Sequence, residues 1–199
     1  MRARWIAAAM LSAALCAGCG ALKRFAYEGI GRDAWQKPEE VIALLGIRAG
    51  DHVADLGAGG GYFTFRLADA VGADGRAYAV DVDDDMIRYL RRRVDERGYA
   101  NIEVMRAESD RTGLPENAID LLFTCNTYHH LTDRVRYFEA VLDALEPAGR
   151  VAILEYAQGH HATPRDTIVY EMTRAGYRLA AEHDIVEQQS FLVFVPDDE

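Results

Sequence analysis

From Val41 onward, short apolar runs alternate with amphipathic segments, and glycine- or acid-rich turns separate them. Lys37-Pro38-Glu39-Glu40 opens a helix whose apolar side is Val41, Ile42, Leu44 and Leu45 and which stops at Gly46. Val53 to Leu56 reads as a short buried strand, and Tyr62 to Ala70 has helical periodicity with Phe63, Phe65, Leu67 and Ala68 available for burial. The same alternation predicts a strand over Arg76–Val80, a helix over Asp84–Arg97 and a strand over Ile102–Arg106. A fourth strand, Ile119–Thr124, follows the Leu114-Pro115-Glu116-Asn117 turn. Val135, Phe138, Val141, Leu142 and Leu145 make one face of a helix over Arg134–Leu145, ended by Pro147-Ala148-Gly149. A strand over Arg150–Glu155, a helix over Pro164–Ala175 and two strands, Tyr177–His183 and Ser190–Val195, complete the pattern. Strands and helices that alternate along most of the chain predict an α/β fold with a doubly wound sheet.

The turn after the first strand carries the chemistry. Gly57, Gly59, Gly60 and Gly61 let a backbone approach a ligand without Cβ obstruction, between a strand and a helix. A dinucleotide loop needs G-x-G-x-x-G. Counted from Gly57 the third position is Tyr62, and counted from Gly59 it is Thr64, so neither frame completes the fingerprint and a nicotinamide oxidoreductase is disfavoured. No Gly-Lys-Ser/Thr follows, which removes the phosphate loop of nucleotide hydrolases. Asp81 closes the second strand 24 residues after Gly57, where a carboxylate can accept two hydrogen bonds from a ribose diol. A strand-end turn residue is the plainer reading of the same position.

Asp55-x-Gly57-x-Gly59-x-Gly61 resembles the first motif of the class I S-adenosylmethionine (SAM) dependent methyltransferases. The resemblance covers roughly Trp35 to Val195. It implies a Rossmann-like sheet of about seven strands, with the last strand antiparallel beside its predecessor. It implies that Asp55 reaches the methionine end of the cofactor, with the loop of Gly57, Ala58, Gly59, Gly61 and Tyr62 beneath it. Asp81 and Val82 fall to the ribose, and Ala107 and Glu108 to the adenine edge, with Asp110 as a substitute acid. Met86 either packs on the adenine ring or belongs to the core. Asn126 opens a stretch whose Tyr128-His129-His130-Leu131 is similar to the tail after strand four in many small-molecule methyltransferases, facing the cofactor sulfur and the acceptor. Tyr128 or His129 then orients the acceptor or removes its proton. Alternatively His129 packs or caps the helix start. His160-His161 is a loop pair that either touches substrate or is solvated, and Trp35 either lines the acceptor pocket or anchors the segment before it. No metal site is expected, because adjacent histidines at a helix start do not converge on one ion.

Composition changes the picture mainly at the N-terminus. The 199 residues, 50% hydrophobic and 27% charged, suffice for one core. Arg2 and Arg4 precede an uncharged run from Trp5 to Leu22, and Ala17-Gly18-Cys19 resembles the end of a bacterial lipobox, although Cys16 stands where an aliphatic is usual. The expected division is a leader over 1–19, a tether or N-terminal lid over 20–34 and the catalytic domain over 35–199. Lipid attachment at Cys19, plain signal cleavage and an uncleaved anchor remain open, and with them export to a membrane or a cytoplasm-facing enzyme. With the leader removed, Cys125 is the only thiol, which excludes an intramolecular disulfide. A net charge of −10, or −12 without Arg2 and Arg4, is a poor footprint for nucleic acid. Arg88, Arg91, Arg92 and Arg93 are followed by Asp95 and Glu96, as on a solvated helix face. The function expected is methyl transfer from SAM to a small-molecule or lipid-like acceptor. The alternative is an exported binding or sensory module that keeps the fold.

Overall fold

The computed structural model describes residues 31–108 and 110–197; the leader, Cys19 and most of the expected tether lie outside them. Seven strands form one sheet: β1 (His52–Leu56), β2 (Arg76–Asp81), β3 (Ile102–Arg106), β4 (Ile119–Cys125), β5 (Leu145–Tyr156), β6 (Tyr177–His183) and β7 (Gln189–Pro196). Their spatial order is β3-β2-β1-β4-β5-β7-β6. The first five strands in that order pair in parallel, and β7 runs antiparallel to both β5 and β6. The helices are α1 (Arg32–Gln36), α2 (Pro38–Leu44), α3 (Thr64–Val71), α4 (Asp84–Arg97), α5 (Arg134–Val141) and α6 (Arg165–Arg174).

Parallel strands covered on both faces read as unbroken apolar runs, and Ala77, Tyr78, Ala79 and Val80 of β2 are all buried. The pleat sends Ala54 and Leu56 of β1 into the core layer of α5 and α6, and Val53 into the layer of α2 and α3 with Leu67 and Val71. α4 starts where Asp83 accepts hydrogen bonds from the Asp85 and Met86 amides, and it stops at Gly98 in the left-handed region. The strand order reverses between β1 and β4. In open α/β sheets a ligand crevice lies outside the carboxyl ends at that place.

Several boundaries differ from the pattern-based expectation, most of them by a single residue. α3 begins at Thr64 rather than Tyr62, because Gly59 and Gly61 hold positive φ and the Gly61 amide donates to the Ala58 carbonyl, delaying the first helical turn. α5 stops at Val141, a 3₁₀ turn covers Leu142–Ala144, and β5 starts at Leu145. The register of β5 against β4 shifts between Ile119 and Leu121, so Pro147-Ala148-Gly149, expected as a helix-ending turn, falls in an irregularity within the strand. α1 lies partly in the segment expected as a tether. It is tied down by Tyr62, whose hydroxyl donates to Asp33 Oδ1 at 2.6 Å, and by an Arg66–Asp33 ion pair at 3.2 Å.

Candidate functional site

A cavity of about 870 Å³ opens at the carboxyl ends of β1, β2, β4 and β5. Asp55, the penultimate residue of β1, lines it yet is only 3% exposed. Its Oδ2 accepts a 2.6 Å hydrogen bond from the Thr64 hydroxyl, and the Thr64 backbone amide also stabilises the carboxylate. Desolvation by burial pushes this carboxyl up to about 6, and the Thr64 bond only partly offsets it. A buried acid in that state gains from an incoming cation.

Asp81 at the end of β2 also lines the cavity. Its Oδ2 accepts from the Gly59 amide at 2.7 Å and its Oδ1 from the Asp83 amide at 2.9 Å. Each oxygen retains a second lone pair. The acid therefore pins the glycine loop to β2 besides offering acceptors to the cavity. Sequence reasoning missed this second role, although an acid two residues before a helix cap is a signal for such a bond.

Gly57, Ala58, Tyr62, Val82, Ala107, Glu108 and Asn126 line the same cavity. Glu108 also pairs with Arg111 at 2.8 Å. Asn126 is held in the left-handed region, and its Oδ1 accepts from Gln189, which in turn accepts from the fully buried Gln36 of α1. Gly59 and Gly61 do not line the cavity. Gly59 contributes through Asp81, whereas a Cβ on Gly61 would lie 2.5 Å from Leu90 Cδ1 and 2.8 Å from Phe65, so that glycine serves the packing of α4 on α3.

Two further residues expected at the site lie elsewhere. Met86 is 1% exposed on the inner face of α4 with Ile87, Leu90 and Val94, because the Asp83 cap turns the first helical turn inward. It is core and does not line the cavity. Tyr128 is fully buried, stacked on Phe138, and its hydroxyl donates to Glu171 Oε2 at 2.8 Å. Glu171 is also clasped by Arg134 through two bonds. Burial and that carboxylate raise the phenol's pKa, and Tyr128 leaves the catalytic set for a structural one.

His129 faces the cavity, and its Nδ1 lies 2.9 Å from Oε1 of the fully buried Glu155 at the end of β5. His130 and His161 line the same wall, their rings 4.0 and 5.5 Å from that of His129. Desolvation and then His129 lower the pKa of His130. Opposite, α1 brings Trp35 and Arg32 to the rim. The Arg32 guanidinium lies 3.8 Å over the Tyr62 ring and donates to Cys125 Sγ. Burial pushes the Cys125 thiol up to about 12, so it is no nucleophile at neutral pH.

The residues present fit SAM: a buried, desolvated carboxyl on Asp55 for the ammonium group, spare acceptors on Asp81 for a diol, and a glycine loop between them. Residues 53–149 match the family described as "Methyltransferase domain". Among curated relatives, the ubiquinone/menaquinone biosynthesis C-methyltransferase UbiE of Pseudomonas putida is 30% identical over 118 residues, covering 59% of this chain and 46% of that protein. The protein of the same name from Azotobacter vinelandii is 29% identical over 122 residues, covering 61% and 48%. The chain thus spans about half the length of the curated relatives it matches. A SAM-dependent methyltransferase from Aquifex aeolicus superposes with a TM-score of 0.81 at 24% identity, over 86% of this chain and 96% of that one. The phosphoethanolamine N-methyltransferase 2 of Haemonchus contortus, solved with SAM, superposes with a TM-score of 0.64 at 19% identity, over 72% and 37%. Site, fold and family match agree: the chain carries a class I S-adenosylmethionine-dependent methyltransferase domain.

Proposed function

We propose that the chain methylates a small, largely apolar hydroxyaromatic acceptor of the reduced-quinone type, at a ring carbon. The observation that carries this reading is the division of one cavity into two walls. Asp55, Asp81 and the glycine loop form one, at the ends of β1 and β2, and His129 with Leu131 and Tyr156 forms the other, beyond β4 and β5, with Trp35 at the rim. Ligand pockets run from about 300 to 1,000 Å³, so about 870 Å³ leaves space for an acceptor beside the nucleoside. The names of the UbiE relatives support carbon as the accepting atom.

Bound here, SAM supplies a methyl group on a sulfonium, and the C–S electron pair stays on sulfur. The chain's own part is alignment and dryness. Arg32 and Trp35 of α1 line the rim, and His129 accepts a hydroxyl proton from the acceptor, raising electron density on its ring; after the methyl group joins the ring carbon, the hydrogen of that carbon moves to the oxygen and restores the hydroxyarene. The test is to incubate the full chain with methyl-labelled SAM and a hydroquinone, a naphthohydroquinone, a catechol and an amine, then analyse products by mass spectrometry and NMR. A ring C-methyl product is expected. O- or N-methylation alone would overturn the carbon assignment, and no product from any hydroxyarene would overturn the acceptor class.

The N-terminal reading is part of the same proposal: lipid attachment at Cys19 would hold the enzyme at a membrane, where quinone-type acceptors reside. Intact mass of protein from its native host is expected to show a chain beginning at an acylated Cys19. A chain beginning at Met1 would overturn it and favour an enzyme with direct access to cytoplasmic SAM.

A further inference from the structure

Glu155 is fully buried, and an ionised carboxylate cannot remain so without several donors. Three N–H groups converge on it: the Tyr156 amide on Oε1 at 2.8 Å, the His129 amide on Oε2 at 3.3 Å and His129 Nδ1 on Oε1 at 2.9 Å. The two amides can only donate. A carboxylate can only accept, so Nδ1 carries the hydrogen, and in a neutral imidazole Nε2 is then the bare nitrogen. The side chain of His129 is 12% exposed and lines the cavity, whereas no contact to a carboxylate fixes its neighbours His130 and His161 among the described residues.

We propose that Glu155 is a positioning residue that fixes His129 as the Nδ1–H tautomer, so that the cavity meets an unprotonated Nε2 able to take a hydroxyl proton. This rests on methyl transfer to a hydroxyl-bearing acceptor, as argued above. In the proton step the acceptor O–H bond breaks with its electron pair kept on oxygen, and an N–H bond forms at Nε2. The charge of the resulting imidazolium is balanced by Glu155, which stays ionised and takes no proton. The backbone amide of His129 on Oε2 adds orientation, because the same carboxylate grips both the ring and its own main chain.

The tautomer can be read without turnover. In the ¹⁵N-labelled full chain with S-adenosylhomocysteine, recorded over a pH series that includes the neutral ring, long-range proton–nitrogen correlations report which ring nitrogen is protonated. The His129 signals are assigned by their loss in His129→Gln. Nδ1–H is expected in the wild type, and a shift toward Nε2–H in Glu155→Ala. Nε2–H in the wild type, or an unchanged tautomer in Glu155→Ala, would overturn the proposal. If Glu155→Ala fails to fold, the wild-type spectrum still decides.

Glu155→Gln gives a second readout. It keeps an acceptor oxygen but loses the charge opposing the imidazolium, so kcat on a hydroxyarene should fall by about tenfold or more with KM and S-adenosylhomocysteine affinity little changed. Wild-type kcat would overturn the role. Failure of the methyl-transfer reading would look different: no product from the wild type while the tautomer stands as stated.

Discussion

Replacing Asp55 by Asn should make the protein more stable and a poorer binder of its cofactor. The buried carboxyl is raised from 3.8 to about 6, chiefly by desolvation. Between those values the folded state holds a proton that the unfolded chain has released, so this residue costs stability as pH rises through the window, and the cost is complete above about 6. A gap of roughly 2 pH units at about 1.4 kcal/mol each makes the cost about 3 kcal/mol. The true gain from Asn is smaller, since its carboxamide is also buried, although Thr64 can still donate to its oxygen. At about 2–4 °C per kcal/mol for a domain of this size, Tm should rise by roughly 5–10 °C at about pH 8. The difference should shrink as pH falls through 6 and vanish near pH 4, where both forms are neutral. Thermal melts of both proteins across that range check this, with S-adenosylhomocysteine titrations beside them. A variant melting at or below wild type at about pH 8, or a Tm difference independent of pH, would refute the reasoning.

Asp81→Ala should weaken S-adenosylhomocysteine by about 1.5–3 kcal/mol, the range for hydrogen bonds to a charged group, with the larger figure favoured because the Gly59 amide is released too. Unchanged affinity by calorimetry in a folded variant would remove Asp81 from the site. Gly57→Ala puts a Cβ 2.0 Å from Thr127 Oγ1 at a φ of +79°, so a stability loss of about 1–3 kcal/mol is expected in denaturant melts, and a wild-type midpoint would contradict the close approach. Tyr128→Phe should cost about 1.5–3 kcal/mol for the bond to the Glu171 carboxylate while kcat stays near wild type. A tenfold fall in kcat at wild-type stability would restore Tyr128 to the catalytic wall.

The parts legible in the sequence are those fixed by local pattern. Alternating buried strands and amphipathic helices, with Asp55 and Asp81 at strand ends, lead to the doubly wound sheet and to the cavity at its carboxyl edge. What escaped depends on contacts distant in sequence. Tyr128 and His129 are adjacent, and only the packing of α5 and α6 decides that the first turns to Glu171 and the second to Glu155. Glu155 ends an apolar strand and carries no motif of its own. Met86 has a helical position compatible with either ligand or core until the Asp83 cap sets the phase. The β5 irregularity was hidden because Pro147 and Gly149 are turn residues by propensity, overridden by pairing with β4. The place of α1 over the cavity rests on side chains more than 25 residues away.

Calorimetric titration of the full chain with S-adenosylhomocysteine, with NAD as the control, tests the central claim most directly. The account predicts one saturable site for S-adenosylhomocysteine that competes with SAM and is weakened by about 1.5–3 kcal/mol in an Asp81→Ala protein that remains folded, and no binding of NAD. Absence of S-adenosylhomocysteine binding to the folded wild type, or saturable binding of NAD in its place, would contradict it.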